Sequence, residues 1–132
     1  MSSDLTGLLL LLFSLTALSS LTLDTVLRGQ VIYNGEVSIP SDALLVLELR
    51  DTTVQDSAGI TIARLEQIVT EFPIKFELQY PSSKIEARDR YSMSVRIESK
   101  TGHLYFINEQ LITVKPIGNE RTETIDIPVI KA

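Results

Sequence analysis

The sequence has no cysteine, no tryptophan and a single histidine, His103. Without cysteine, the chain has no disulfide framework, no thiolate metal site and no thiol nucleophile. A zinc site with three protein ligands, or a serine hydrolase, would have to use His103, and the sequence contains no second histidine and no GxSxG motif. We therefore predict no catalytic residue, no metal and no cofactor, and we interpret His103 as a surface or rim residue.

A strong excess of charge of one sign is also missing. The 132 residues include 17 acidic and 12 basic side chains, for a formal net charge of -5. A mildly acidic chain is soluble and is a poor ligand for nucleic acid. Because 44% of the residues are hydrophobic, the length and composition predict one folded domain that is stabilised by its apolar core.

Two groups of charged residues resemble ligand sites, but each has a simpler explanation. Asp51 and Asp56 flank a polar loop and could hold a hard cation, yet no Ca²⁺-loop pattern is present and turn capping accounts for both. A modest basic cluster is interleaved with acidic residues, which is typical of a solvated face rather than a phosphate site. Its members are Lys84, Arg88, Arg90 and Arg96.

The four tyrosines allow a further hypothesis, an exposed aromatic face that binds a glycan. Aromatic residues at strand spacing are more often part of a core or sheet face. Two or more exposed tyrosines on one concave surface would support glycan binding, whereas buried tyrosines would remove its basis. The residues concerned are Tyr33, Tyr80, Tyr91 and Tyr105.

Residues 1–20 are typical of an export signal that forms an apolar helix. The apolar run Leu8–Leu18 is too short for a confident membrane span and is followed by small residues. Ala17 and Ser19 have the spacing that a signal peptidase prefers. The alternatives are a helix packed on the domain or an uncleaved anchor, because Asp4 replaces the usual basic residues. We predict an exported protein that is periplasmic or associated with the outer membrane, or secreted if its source is not bacterial.

Residues 24–132 alternate between apolar and polar side chains in short segments separated by turns. This pattern predicts an all-β, single-domain antiparallel β-sandwich of about seven or eight short strands. Val26–Asp51 is interpreted as a strand, a turn at Asn34–Gly35 and a second strand, an apolar hairpin. The segment after Leu65 is also compatible with a helical turn, and Pro128 predicts a strand edge or bulge.

The order of these segments resembles the YbaY/YscW family of bacterial envelope lipoproteins. GQVIYNGEVSIPSDALLVLELRD is followed by ITIARLEQI, FPIKFELQY, YSMSVRIES and TIDIPVI, so that the resemblance covers about Leu27–Ile130. It implies a β-sandwich, no catalysis and attachment to the outer membrane through a lipidated cysteine. The YscW branch consists of type III secretion pilotins, which escort secretin subunits and bind a carboxy-terminal secretin segment. The YbaY branch has no well-defined biochemical role.

One residue departs from the family pattern. Leu18-Ser19-Ser20 resembles the approach to a lipidation site, but Leu21 stands where the acylated cysteine would be. Without its lipid, a pilotin lacks the hydrophobic force that carries its cargo to a bilayer. The sequence therefore predicts an exported, non-catalytic module that binds a protein or peptide of the cell envelope, a secretin if it is a pilotin. The alternatives are a glycan-binding sandwich of the YbaY type and, from another class, a metal-assisted hydrolase.

Overall fold

A computed structural model describes residues 22–54, 59–117 and 124–132, and this part of the chain forms eight β-strands. The strands confirm the predicted all-β class and the predicted number of strands. The export segment, residues 1–20, lies outside the described residues. The strands are β1 Thr25–Tyr33, β2 Leu44–Asp51, β3 Ile60–Ile68, β4 Ile74–Tyr80, β5 Tyr91–Glu98, β6 Leu104–Ile107, β7 Ile112–Val114 and β8 Thr124–Lys131.

The strands belong to one continuous sheet in the order β3-β2-β5-β6-β8-β1-β4, and β7 pairs with β5 beyond the end of β6. The sheet folds over its own core so that β4, β1 and β8 cover the strands on the other side. The two halves are joined where β6 meets β8, through the pairs Phe106↔Lys131 and Ile107↔Ile130. At the other side the sheet ends at β3 and β4, which are not hydrogen-bonded neighbours, and it therefore nearly closes on itself.

The strands β1 and β2 are neighbours in sequence but not in the sheet, so the predicted hairpin is wrong. β1 pairs with β4 and β8, whereas β2 pairs with β3 and β5. A two-residue hairpin turn of type I′ needs a positive φ at both central residues. Gly35 has a φ of 125° but Asn34 does not have a positive φ. The chain between the two strands therefore crosses from one half of the sheet to the other.

A second difference concerns strand direction, since β1 and β8 run parallel within an otherwise antiparallel sheet. Alternating side chains look the same in both arrangements, so the sequence pattern could not distinguish them. The parallel pairing explains Gly29, which lies opposite Ile125. A Cβ atom at Gly29 would lie 2.0 Å from the carbonyl oxygen of Ile125, and glycine is therefore required for the two backbones to approach this closely.

The remaining strand predictions differ only at their ends. β3 continues to Ile68, which pairs with Leu44, so the helical turn considered after Leu65 does not form. The side-chain spacing of this segment fits both a strand and a helical turn, and pairing with β2 selects the strand. At Pro128, β8 pairs with β1 alone, because its pairing with β6 begins at Ile130. Pro128 therefore lies at a strand edge, as predicted, but only over this part of β8.

The core lies between the two halves of the sheet, and β2 is its most buried strand. Leu45, Leu47 and Leu49 point into the core and are fully buried. Val46 and Glu48 lie on the opposite face of β2 and are also buried, between the side chains of β3 and β5. We call this opposite side, away from the core, the outer face.

Candidate functional site

His103 lies at the turn between β5 and β6, and its side chain is exposed. Its imidazole meets the ring of Tyr105 edge to face, with 5.1 Å between the ring centroids. Within residues 22–54, 59–117 and 124–132, no group of three or more His, Cys, Asp or Glu side chains is arranged to hold a metal ion. His103 therefore occupies the kind of rim position that its place beside a turn predicts.

Two of the tyrosines are buried and hold the loops at one end of the sandwich. The hydroxyl of Tyr80 donates to the carbonyl oxygen of Pro116. The hydroxyl of Tyr91 accepts a 2.7 Å hydrogen bond from the backbone N–H of Glu86. Burial is the main reason that the pKa of Tyr91 is raised. Both hydroxyl groups are thus engaged in structural hydrogen bonds within the chain.

The other two tyrosines are half-buried and lie in different contacts. Tyr33 packs against Phe72 and Phe106, at ring-centroid distances of 5.6 and 5.5 Å. The hydroxyl of Tyr105 donates to Asp42 over 2.8 Å. No two of the four tyrosines, all of which the structure describes, are exposed on one concave face. The condition that would support glycan binding, two or more exposed tyrosines on one concave surface, is therefore not met.

Asp51 caps the turn that follows β2. One of its carboxylate oxygens accepts hydrogen bonds from the backbone N–H and the hydroxyl of Thr53, at 3.0 and 2.6 Å. The Thr53 hydroxyl is the main cause that lowers the pKa of Asp51, while a hydrogen bond to Asp51 raises the pKa of Asp89. Asp51 thus has the predicted capping role, and Asp56, the other half of the suggested cation site, lies outside the described residues.

The predicted basic cluster is divided between two places. Arg96 lies on the outer face of β5 and pairs with Glu48 and Glu98, each at 3.2 Å. The other three residues belong to the connection between β4 and β5 and do not share these contacts; they are Lys84, Arg88 and Arg90. The fold therefore does not assemble the four cations into one patch.

A groove that the sequence did not indicate lies around β7. An outer cleft of about 620 Å³ opens on the outer face, and an end cleft of about 790 Å³ opens at the end of the sandwich. The two clefts share Arg90, Tyr91 and Thr113, and together we call them the β7 groove. Both clefts are concave, which is the shape expected of a ligand site, and the shared residues make them neighbours.

The groove exists because the strand alongside β5 is interrupted between β6 and β7. Asn108 replaces the missing backbone partners at this interruption. Its Oδ1 accepts from the N–H of Val95 at 2.8 Å, and its Nδ2 donates to the carbonyl oxygens of Met93 and Gln110, at 3.3 and 3.0 Å. Before Asn108, β6 pairs with both β5 and β8, whereas after it β7 pairs, among the described residues, with β5 alone. A lone asparagine after the LYFI strand was the sequence signal for this break.

Three apolar side chains at the rim of the groove are exposed to solvent. The exposed fractions are 67% for Val54, 71% for Leu111 and 42% for Ile117. Val54 and Leu111 border the outer cleft, and Ile117 borders the end cleft. Apolar side chains gathered around a concave polar surface are typical of an interaction site.

The floor of the outer cleft is a row of polar residues across three strands. Arg50 of β2 faces Ser92 of β5, which in turn faces Thr113 of β7. Among the described residues, no hydrogen-bond acceptor reaches the buried Nε of Arg50. We call these three residues the Arg50 row.

Two residues earlier on β2, the same face carries a fully paired carboxylate. Glu48 accepts from Arg96 Nη1 at 3.2 Å and from the Thr61 hydroxyl at 3.0 Å, and Arg64 Nη1 lies 3.8 Å away. We call Glu48, Arg64 and Arg96 the Glu48 row. Its charges are satisfied within the chain, so it is a structural element, whereas the Arg50 row retains a donor.

Comparisons with known proteins agree with this architecture. Residues 24–127 match the family model described as Type III secretion system lipoprotein chaperone (YscW). The chain is also similar to the structure of an alternative pilotin from the type II secretion system of Vibrio cholerae, with 31% sequence identity and a TM-score of 0.73. That similarity covers 81% of this chain and 96% of the pilotin. No curated protein gave a match.

No helix among residues 22–54, 59–117 and 124–132 has both the length and the apolar character that a membrane crossing needs.

Proposed function

The chain belongs to the YscW family, and from that premise we propose that it is a non-catalytic chaperone of the cell envelope that binds a secretin subunit. The similarity to a pilotin along 96% of that protein's length is the observation that carries the proposal. Pilotin-like binding requires a surface for a polypeptide and no reactive group. The β7 groove is such a surface.

We further propose that the partner segment binds along the β7 groove. Among the described residues, β7 pairs with β5 on one side only, so we propose that its other edge hydrogen-bonds an added strand. The exposed side chains of Val54, Leu111 and Ile117 supply apolar contacts next to that edge. An extended or helical segment with alternating apolar residues fits this combination.

The absence of cysteine bears on how the proposed chaperone reaches the outer membrane. The given sequence has no cysteine to carry a lipid, and we propose that the protein acts after export without a lipid attached to a cysteine. Any outer-membrane location then comes from the partner or from the apolar segment within residues 1–20. Fractionation followed by mass measurement of the mature amino terminus tests whether that segment is removed.

A binding measurement with a matched pair of variants tests the proposed groove. The probe is a synthetic peptide with the sequence of the carboxy-terminal segment of a secretin from the same organism, added to the labelled protein. We expect Leu111→Asp to weaken binding about tenfold or more, because it places a charge in the apolar rim. Ile68→Asp is the control, since Ile68 is 68% exposed and lies at the end of β3, outside the groove.

Two results would count against this function. Equal affinities for Leu111→Asp, Ile68→Asp and the unaltered protein would place the partner elsewhere on the surface. Failure of the unaltered protein to bind the secretin segment, together with failure to recover any secretin from envelope extract, would reject the secretin as the partner.

A further inference from the structure

We propose that the outer cleft recognises a carboxylate of the bound polypeptide, and that Arg50 is the residue that holds it. The inference rests on the proposed function for the idea that the ligand is a polypeptide. The carboxylate chemistry comes from the residues of the cleft themselves.

The first argument is the state of the Arg50 guanidinium. Arg28, Arg64 and Arg96 each form a salt bridge with a glutamate within the chain. Arg50 lines the outer cleft and has no such pair among the described residues, and its buried Nε has no acceptor there. A buried donor without an acceptor is rare in proteins and is costly to maintain. Arg50 as a whole is half-buried and lines the cleft, and a carboxylate bound there would supply the negative charge that its guanidinium lacks among the described residues.

The second argument is that the neighbouring carboxylate cannot serve Arg50. Both oxygens of Glu48 are engaged by Arg96, by the hydroxyl of Thr61 and by the Arg64 guanidinium. In the sheet, Arg50 lies across from Ser92, and Ser92 lies across from Thr113. A guanidinium and hydroxyl groups are donors that a carboxylate accepts.

The third argument is the charge of the cleft. Its lining includes two arginines, Arg50 and Arg90, and one carboxylate, Glu109. This leaves a surplus of one positive charge in a chain whose formal net charge is -5. A single carboxylate matches that surplus, whereas a phosphate group carries about two negative charges at neutral pH. The nearby Leu111 and Val54 favour an aliphatic residue next to the acidic one.

A carboxylate can come from an acidic side chain or from a free carboxyl terminus, and two probes distinguish them. N-acetyl-Leu-Asp-amide presents only the side-chain acid, and N-acetyl-Leu-Leu with a free carboxyl terminus presents only the terminal one. N-acetyl-Leu-Asn-amide is the uncharged control. Each is titrated into the ¹⁵N-labelled full chain while the Nε–H resonance of Arg50 is followed by NMR.

We expect one of the two acids, and not the asparagine control, to shift the Arg50 Nε–H resonance in a saturable way. In the Arg50→Gln variant, the affinity for that acid should fall about 10- to 100-fold, as expected for loss of a charge-assisted hydrogen bond. Arg88→Gln removes the same charge from an exposed side chain outside both clefts and should leave the affinity unchanged. Equal shifts with all three probes, or none with any, would overturn the inference.

The secretin segment separates this inference from the proposed function. If the segment binds the unaltered protein and Arg50→Gln equally well and the acidic probes cause no shift, the carboxylate site is rejected while the chaperone function stands. If the acidic probes bind through Arg50 but the secretin segment does not bind, the site stands and the partner is a different polypeptide.

Discussion

The Glu48 row and the Arg50 row lie two residues apart on the same face of β2, yet they differ in whether their charged groups are paired. Glu48 is held by two arginines and a threonine hydroxyl, and only 9% of its side chain is exposed. Arg50 faces serine and threonine and keeps a buried donor without an acceptor among the described residues. One row is complete within the chain, and the other can accept a ligand.

The difference arises from the neighbouring strands rather than from β2. Opposite Glu48 and Val46, β3 and β5 present Arg64 and Arg96, whose charges oppose that of Glu48. Opposite Arg50, β5 presents Ser92, and beyond it the sheet continues only as the short strand β7. A charged residue on a sheet is therefore structural or available for binding according to its cross-strand partners.

The largest predicted effect is a loss of stability caused by a substitution outside both rows. Gly29→Ala places a Cβ atom against the backbone of Ile125 and should lower the free energy of unfolding by about 3 kcal/mol or more. Neither row contains Gly29, so the change acts on the fold alone. Denaturant unfolding measures the effect.

Gly102→Ala is the control for this substitution. A Cβ atom at Gly102 meets nothing within 4 Å, and only its φ of 94° is unfavourable for alanine. We expect a cost of about 1 kcal/mol. Equal costs at the two glycines would show that the close approach of β1 to β8 is not what requires Gly29.

The next prediction tests the two rows directly. Glu48→Gln removes the charge that Arg64 and Arg96 share, and should lower the free energy of unfolding by about 2 kcal/mol, less than for a fully buried pair because both arginines are partly exposed. Arg50→Gln removes a buried donor that has no acceptor among the described residues, so it should not lower the free energy of unfolding, and its effect should appear in carboxylate binding. Similar destabilisation by both variants would remove the distinction between the rows.

The smallest predicted effect concerns Asp24, a carboxylate that is paired like Glu48 but fully exposed. The hydroxyl of Ser82 and, next, its backbone N–H lower the pKa of Asp24 below its ordinary value of 3.8. A lowered pKa in the folded state gives a contribution to stability that is present above pH 3.8 and is lost as the pH falls through the folded-state pKa.

Thermal unfolding of Asp24→Asn and the unaltered protein as a function of pH measures this contribution. The small difference between them at neutral pH should disappear as the pH falls below about 3.8, the ordinary pKa of an aspartate. Ser82→Ala should behave in the same way, because it removes the hydroxyl donor. A difference that stays constant down to pH 2 would show that the hydrogen bonds to Ser82 do not favour the charged form of Asp24.

Much of the fold could be predicted from residue order, since alternation in segments such as Ile74–Tyr80 identifies strands directly. The β7 groove could not be predicted, because it depends on where β6 leaves β5, which Asn108 and the pairing with β8 decide together. Nearness in sequence groups Arg96 with Arg90, although Arg96 lies on β5 and Arg90 in the connection that precedes it. Nothing near Arg50 in sequence marks it as a site residue.

The sequence by itself determined the all-β class, the strands, the resemblance to the YscW family and the absence of a cysteine that could carry a lipid. These depend on side-chain type and a period of two, which are local properties. Only the tertiary structure decided that β1 lies beside β8 rather than β2, and that Glu48 forms ion pairs while Arg50 forms none with the residues that the structure describes. The reason is that alternation specifies which face a side chain occupies, whereas strand pairing over long separations specifies which side chains it meets.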